Sequence, residues 1–141
     1  MPFLPSSDEV VTCLAALYQG EIPGDSALAV AAWEQAHAPS YPCLLVHGEP
    51  CAPAAETGDL SGEPALVTMA AQVSIFTLVA DDPFGAEIDA FSAMVHPILS
   101  AGEYAPTGWT LLGIEAEPPR AVLEGECRRR DYPLTFHFGR V

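Results

Sequence analysis

Three residues with metal-binding side chains lie near one another in the chain. Cys43, His47 and Cys51 are spaced four residues apart, and thiolate and imidazole groups are common ligands of Zn²⁺. On a helix, this spacing would place all three side chains on one face. The surrounding residues favour a strand instead, and no fourth protein ligand follows at a usual zinc spacing. We therefore expect buried thiols, with no metal and no cofactor.

Catalysis by a Cys and His pair is a second chemistry that the residue types permit, because such partners meet in space and not in sequence. His96 is predicted on the polar side of a helix, and His137 on the exposed side of a strand. A solvated imidazole is the ordinary outcome at both places. No motif supports the pair, so a small Cys/His hydrolase is the least favoured of our hypotheses.

The motifs of several large enzyme classes do not occur in the sequence. It contains no glycine-rich nucleotide-binding motif, no H-E-x-x-H zinc helix and no G-x-S-x-G nucleophile turn. It also contains no lysine, so neither a Schiff base nor a phosphate-loop lysine is available. We expect that the protein is not an enzyme.

Acidic residues dominate the composition. Five Arg and no Lys stand against nineteen Asp and Glu, which gives a net charge of −14 and disfavours binding to nucleic-acid phosphates. All five Arg lie in the last quarter of the sequence. A negative face could keep the monomer soluble, repel passing DNA or meet a basic partner, but acids that only solvate the surface explain the charge equally well.

The run Arg128-Arg129-Arg130 is the only basic cluster. On a strand, alternation would divide its side chains between the two faces. The arginines can pair with acids of the same chain, or they can dock on an acidic surface of a neighbouring subunit, since guanidinium groups suit carboxylates at interfaces. The sequence favours neither interpretation, and all three residues are candidates for a subunit or partner interface.

A second candidate interface is the segment 49–64. It holds three Pro, two Gly and four acids, with almost no large apolar residue, so burial cannot order it. We expect a flexible acidic loop, and loops of this length usually have a partner or stay mobile. Its candidate contact residues are Glu56, Asp59 and Glu63.

The apolar pattern predicts a helix and a buried strand in the first third of the chain. Residues 6–9 have the S-x-x-E spacing of a capping box, and apolar residues then recur at helical spacing up to Gly20. The alanine-rich segment 27–37 fits either a helix or an edge strand. Residues 43–47 are apolar between Pro42 and Gly48, which is typical of a buried strand.

A central strand and a second helix are predicted next. Residues 73–79 carry bulky groups on both faces, as in a strand covered on both sides. Asp81-Asp82-Pro83 then supplies a helix cap and a proline for the first helical position. Capping is a stronger interpretation of the two aspartates than catalysis by paired carboxylates. An apolar stripe from Phe84 to Leu99 would pack on the sheet. Pro97 predicts a kink or an early end of this helix.

The last third predicts a hairpin of strands 109–116 and 121–127 around Pro118-Pro119, followed by a half-buried strand over 134–138. The order of elements indicates one α+β domain over 1–141, with a mixed or antiparallel sheet of about four to five strands and helices packed on one face. The apolar runs are too short to span a bilayer, and the N-terminal residues lack a secretory signal. We expect a soluble protein that is not exported.

Three local sequence patterns together indicate a resemblance to a known protein family. The first is the aromatic-proline step and apolar strand over 40–49, and the second is the strand and helix over 72–99, with His96 before Pro97. The third is the alternating strand over 134–141. Together these patterns, which cover about residues 40–141 and the first helix, resemble the minor tail protein U family, the tail terminators of lambda-like long-tailed bacteriophages.

The resemblance implies a structural virion protein without an active site. It implies a hexameric ring that caps the tail tube, stops its polymerisation and joins the tail to head-completion or neck proteins. A closed ring offers no further in-plane sites, which would explain why growth stops. DNA would pass through the lumen without specific binding, and an acidic lumen would repel its phosphates. The expected location is the tail and neck of the virion, and the host cytoplasm during assembly.

An acidic DNA mimic that inhibits a basic enzyme or repressor is the main alternative. The net charge of −14 permits it. A mimic needs a regular surface array of acids, however, and here the acids concentrate in predicted caps, loops and hairpin strands. The sequence therefore favours the assembly protein.

Overall fold

The computed structural model describes residues 4–22, 28–32, 40–53, 65–101 and 105–140. These ranges contain two helices and seven strands, which confirms the α+β prediction. In chain order the elements are α1 (Ser7–Glu21), β1 (Ala29–Ala32), β2 (Cys43–Gly48), β3 (Ala52–Pro53), β4 (Leu66–Leu78), α2 (Ala86–Ala101), β5 (Trp109–Ala116), β6 (Arg120–Glu124) and β7 (Cys127–Arg140).

All the strands belong to one mixed sheet with the main order β1-β2-β4-β7-β5. β4 and β7 pair antiparallel along their whole lengths, from Leu66 opposite Gly139 to Leu78 opposite Cys127. β2 and the short β3 pair with the other edge of β4, while β5 and β6 pair with the other edge of β7. Only β1 runs parallel to its neighbour, β2. The β4–β7 pair is thus the centre of the sheet.

Both helices pack on the same face of this sheet. Side chains alternate along a strand, so every second residue of β4 and β7 faces the helices. Burying each large apolar side chain contributes roughly 1.5–3 kcal/mol to folding. The fully buried residues of this core include Val10, Leu14 and Tyr18 of α1, Ile88 and Val95 of α2, and Val67, Val73, Ile75, Phe136 and Phe138 of the sheet.

The opposite face of the sheet, which we call the open face, has no helix over it within the described residues. A small second cluster of Cys43, Leu45 and Phe76 covers one end of this face. Polar residues occupy its middle, where Ser74 and Asp131 are buried opposite each other on β4 and β7. The two faces therefore differ sharply, because one is an apolar core and the other is largely polar.

The predicted capping box of α1 is wrong. Ser6 is the residue before the helix, but its side chain makes no capping hydrogen bond. Glu9 instead accepts hydrogen bonds from the backbone N–H and the hydroxyl of Thr107, at 2.8 and 2.7 Å. These bonds lower the pKa of Glu9 and join α1 to the turn before β5. The helix also continues past Gly20 to Glu21.

The segment 27–37, whose type the sequence left open, contains the strand β1 at Ala29–Ala32, and its remaining residues except Leu28 lie outside the described ranges. The helix α2 continues through Pro97 to Ala101, so the predicted early end is wrong. A proline removes one helical hydrogen bond. The burial of Ile88, Phe91 and Val95 in the preceding turns holds the helix on the sheet despite that loss.

The predicted hairpin between residues 109–116 and 121–127 is also wrong. β5 and β6 both run antiparallel to β7 along the same edge, so they form one line interrupted at residues 117–119. Pro118 and Pro119 have no N–H for the ladder, and the long β7 offers enough edge for both pieces. The true hairpin joins β6 to β7 around Gly125, whose φ of 60° suits glycine. Cys127 accordingly belongs to β7.

None of the described helices has the length and apolar character needed to cross a membrane.

The close packing of α1 on β2 leads to a stability prediction. A Cβ atom at Gly48 would lie 2.7 Å from Cγ2 of Val11 and would also collide with Cε of Met69. We expect Gly48→Ala to lower the free energy of unfolding by roughly 1–3 kcal/mol, the usual cost of an overpacked core. Urea denaturation measures this. Gly113→Ala is the matched control, because nothing lies within 4 Å of its Cβ position, and it should change stability by less than about 0.5 kcal/mol.

Candidate functional site

The carboxylate of Asp82 organises the junction between β4 and α2. This residue is only 3% exposed. Its Oδ1 accepts a hydrogen bond from the N–H of Glu87 at 3.0 Å, and its Oδ2 accepts from the N–H of Ile88 at 3.1 Å. Oδ2 also accepts from the Thr77 hydroxyl at 3.0 Å. The prediction that Asp82 caps α2 is therefore confirmed, although Pro83 lies three residues before the first helical residue instead of at that position.

Burial by itself would raise the pKa of Asp82. The two backbone hydrogen bonds, the Thr77 hydroxyl and the positive charge of Arg128 outweigh that effect and hold the pKa below its ordinary value. The carboxylate is thus stabilised in its ionised form by the fold around it.

The turn between Asp82 and α2 carries the most exposed large apolar side chain of the described residues. Phe84 is 94% exposed, so its predicted place in the apolar stripe of α2 is wrong. The turn is held from two sides. The N–H of Gly85 donates to the Asp82 carbonyl at 3.2 Å, and the Arg128 guanidinium donates to the carbonyls of Asp82 and Pro83 at 3.3 and 3.1 Å. Gly85 has a φ of 75°, which glycine adopts without strain.

The three consecutive arginines divide between the two faces of β7, as alternation predicts. Arg128 and Arg130 lie on the helix side, where Arg130 donates to the Asp89 carboxylate at 2.6 Å and to the Ser92 hydroxyl at 3.1 Å. Arg129 lies on the open face. Arg129 and Arg130 pair with acids of their own chain, which confirms the first of the two sequence interpretations for these residues. Arg128 donates to backbone carbonyls instead. Docking of these arginines on a neighbouring subunit stays a prediction.

A buried polar network lies at the middle of the open face. Asp131 is 5% exposed, and its Oδ1 accepts a hydrogen bond from the Ser74 hydroxyl at 2.8 Å. The Nε of Arg129 donates to Oδ2 at 3.1 Å, and the same guanidinium contacts Glu124. Gln72 donates to the Ser74 hydroxyl at 3.0 Å. Because Ser74 and Asp131 are cross-strand neighbours, this network fixes the register of β4 and β7.

A concave site lies beside this network on the open face. It is open to solvent on one side and has a volume of about 250 Å³. We call it the open-face site. Its floor crosses β4 and β7, and its rim extends to the start of the segment after β2 and to the end of β5. His47 contacts Glu49 on this rim at 3.1 Å. The lining residues include Glu49, Ala70, Gln72, Glu117, Pro133 and Thr135.

The structure does not bring the zinc candidates together. Cys51 lies in the core beneath the helices, Cys43 lies in the small cluster of the open face, and His47 contacts Glu49. Within the described ranges, no group of three His, Cys, Asp or Glu side chains could hold a metal. Cys43 and His47 both lie on the extended strand β2, so a spacing of four residues keeps their side chains too far apart to share a metal ion.

The thiols of Cys43 and Cys51 are poorly suited to nucleophilic attack, because the thiolate is the reactive form. Burial, followed by the neighbouring charge of Cys127, raises the pKa of Cys43 to about 11. Burial also raises the pKa of Cys51. A hydrogen bond with the Cys127 side chain, followed by burial, raises the pKa of Tyr41 to about 12. These shifts disfavour Cys43 and Cys51 as the nucleophile of the hydrolase hypothesis.

The positions of the remaining candidate residues are as follows. His137 lies on the open face, with its Nε2 atom 3.5 Å from the Glu115 carboxylate. The side chain of His96 lies outside the described part of the chain, as do Glu56, Asp59 and Glu63 of the predicted acidic loop. The start of that segment is ordered as a short strand, since Ala52 and Pro53 pair with β4.

Comparisons with known proteins give no assignment: no family model matches the chain, and no curated protein matches it.

Sequence reasoning missed two surface features, the exposed Phe84 turn and the open-face site. The Pro83-Phe84-Gly85 triplet has the residues of a turn, and this signal could have separated Phe84 from the apolar stripe of α2. The open-face site had no such signal, because residues from three distant strands form it.

The Asp82 network predicts a pH-dependent effect on stability. At pH 7, Asp82→Asn should lower the free energy of unfolding by about 1–3 kcal/mol, because an amide replaces an ionised acceptor of three hydrogen bonds. The lowered pKa of Asp82 means that its contribution is complete above the model-peptide value of 3.8 and disappears as pH falls through the folded value. Urea denaturation at pH 7 and pH 3 should therefore show a smaller difference at pH 3.

The exposed neighbour Asp81 supplies the control, and Asp81→Asn should change stability by less than about 0.5 kcal/mol at both pH values. An equal loss at pH 7 and pH 3 for Asp82→Asn would mean that ionisation of Asp82 does not stabilise the fold.

The Asp131 network predicts that Arg129 is needed for stability. Arg129→Ala leaves a buried carboxylate without its cation, and we expect a loss of about 2–4 kcal/mol in urea denaturation. Arg120→Ala is the control, because the Arg120–Glu117 pair is exposed and should contribute less than about 1 kcal/mol. If Arg129→Ala keeps full stability but weakens self-association, the docking interpretation replaces the structural one.

Proposed function

We propose that this protein is a structural assembly protein of a long-tailed bacteriophage, a tail terminator that forms a ring on the tail tube. The family resemblance of the sequence motivates the proposal. A geometric observation supports it: within the described residues, the sheet has two different unpaired edges at its opposite sides. β1 is one edge, and the line of β5 and β6 is the other.

Unequal edges matter because of how subunits close into rings. Within the described residues, no strand pairs with the outer side of β1, β5 or β6, and unpaired edges are the natural places for another chain to bind. When one edge of a subunit meets a different edge of the next, the contact is heterologous. Heterologous contacts produce a ring if the rotation closes and a filament if it does not.

A ring would perform termination by occupying the end of the tube. Each subunit would offer one surface to the last ring of tube protein and another to the head-completion or neck protein. DNA would pass through the lumen, and the net charge of −14 would repel its phosphates if acids line the channel. Neither a catalytic residue nor a cofactor has a part in this mechanism.

The DNA-mimic alternative has less support from the structure. A mimic needs carboxylates that are free on the surface, but Asp82 and Asp131 are buried. Among the exposed acids, Glu9 binds Thr107, Asp89 binds Arg130 and Glu117 binds Arg120. Many described acids therefore serve the fold of the chain itself.

The native mass of the full chain tests the proposal. We expect a particle of about six times the chain mass of 14.9 kDa, measured by native mass spectrometry and by light scattering over a range of concentrations. Added to polymerising tail tube protein, the ring should shorten the tubes seen by electron microscopy. Bovine serum albumin at the same concentration is the control for crowding of the tube reaction.

A chain that stays monomeric even with tube protein present would contradict the ring. A monomer that binds a basic DNA-binding enzyme with one-to-one stoichiometry, and displaces DNA from it, would support the mimic instead.

A further inference from the structure

We propose that the Phe84 turn of one copy inserts into the open-face site of a second copy. The turn, Pro83 to Gly85, is called the knob here. An exposed phenylalanine on a fixed turn and a concave site on the other face of the same sheet would form a contact between copies. The ring that this contact would build rests on the proposed function, whereas the contact itself does not.

The knob has the properties of an interface anchor. Its Phe84 side chain is 94% exposed, so the fold gains almost nothing from it. The turn that carries it is held by the buried Asp82 network and by two hydrogen bonds from Arg128. Because the backbone of this turn is held before binding, it loses little conformational entropy on association. Exposed aromatic anchors of this kind contribute a large share of binding energy at interfaces.

The open-face site is concave and is lined by both polar and apolar residues. A benzene molecule occupies a cavity of about 150 Å³ in a protein core, and this site, which is open to solvent on one side, has a volume of about 250 Å³. Ala70 and Pro133 are small or apolar residues that a ring can cover. The carboxylates of Glu49 and Glu117 line the site, and Glu117 also contacts Arg120. The Arg128 guanidinium next to the knob complements these acids.

The knob cannot enter the site of its own chain. Arg128, which supports the knob, lies opposite Thr77 of β4 in the sheet. The site surrounds Ala70 and Gln72, which belong to the same strand β4. At roughly 3.3 Å per strand residue, the two features lie far apart along β4. They also lie on opposite faces of the sheet, since the knob is on the helix side. The contact therefore joins two copies through different surfaces, which makes it heterologous.

Two variants separate the knob from the site. Phe84→Ala removes the anchor without disturbing the core, because the side chain is almost wholly exposed. Ala70→Arg fills the open-face site with a long side chain from an exposed strand position. Leu4→Ala is the matched control, since Leu4 is another large apolar residue, is 40% exposed and lies on neither edge of the sheet. Circular dichroism and thermal melting of each variant establish that it folds as the wild type does.

Native mass spectrometry and sedimentation of the full-length variants give the first result. We expect Phe84→Ala and Ala70→Arg each to weaken self-association by roughly 30-fold or more, the effect of losing an interface anchor. Leu4→Ala should assemble as the wild type does. If the wild type assembles and both test variants assemble equally well, the knob contact is wrong while the ring proposal survives.

Mixing the two variants gives the decisive result. Phe84→Ala keeps an intact site, and Ala70→Arg keeps an intact knob, so a mixed pair has one complete contact and no second one. We expect the mixture to associate more tightly than either variant alone, because only the mixed pair has an intact knob facing an intact site. A mixture that associates no more tightly than the separate variants overturns the pairing. A wild type that joins through the knob into dimers or open filaments, without closing on a tube, supports the contact and contradicts the tail-terminator function.

Discussion

The full-length pairing of β4 with β7 is the interaction on which the rest of the structure depends. Every strand except β1 borders one of these two, and both helices pack on the face that they present. Because side chains alternate, the register of this pair decides which residues enter the core and which face outward. A slip by one residue would exchange Phe136 and Phe138 for Thr135 and His137. The hydrogen bond between Ser74 and Asp131 opposes such a slip, since it exists in one register only.

Two buried acids help to stabilise the fold, although the chain has few cations to pair with them. Asp82 and Asp131 each satisfy several donors, and each lies beside one of the consecutive arginines. A cluster that resembles a basic docking surface in the sequence thus neutralises acids on both faces of the sheet. The same contacts determine which surfaces are free. Arg128 holds the turn that exposes Phe84, so the stability of the fold and its capacity for association share residues.

Local patterns predicted the elements whose signals are contained within one segment. The buried strand β2, the central strand β4 and the Asp82 cap of α2 are examples, and the α+β class followed from their order. Features that depend on distant residues were not predictable. Glu9 binds Thr107 instead of capping its own helix, and β5 and β6 share one edge because β7 is long enough for both. The open-face site combines β4, β7 and the flanking segments, whereas the ring, its partners and the phage assignment stay predictions.

The distance in sequence between β4 and β7 has a consequence for folding kinetics. Ser74 and Asp131 are 57 residues apart, so the central pairing has a high contact order and is expected to form slowly. Until β7 arrives, one edge of β4 has no partner, and apolar residues such as Val73 and Ile75 lack half of their core. A newly made chain therefore passes through a state with an exposed sheet edge, which is prone to aggregation. The rate at which β7 docks, and not the strength of the final contacts, sets how long that state lasts.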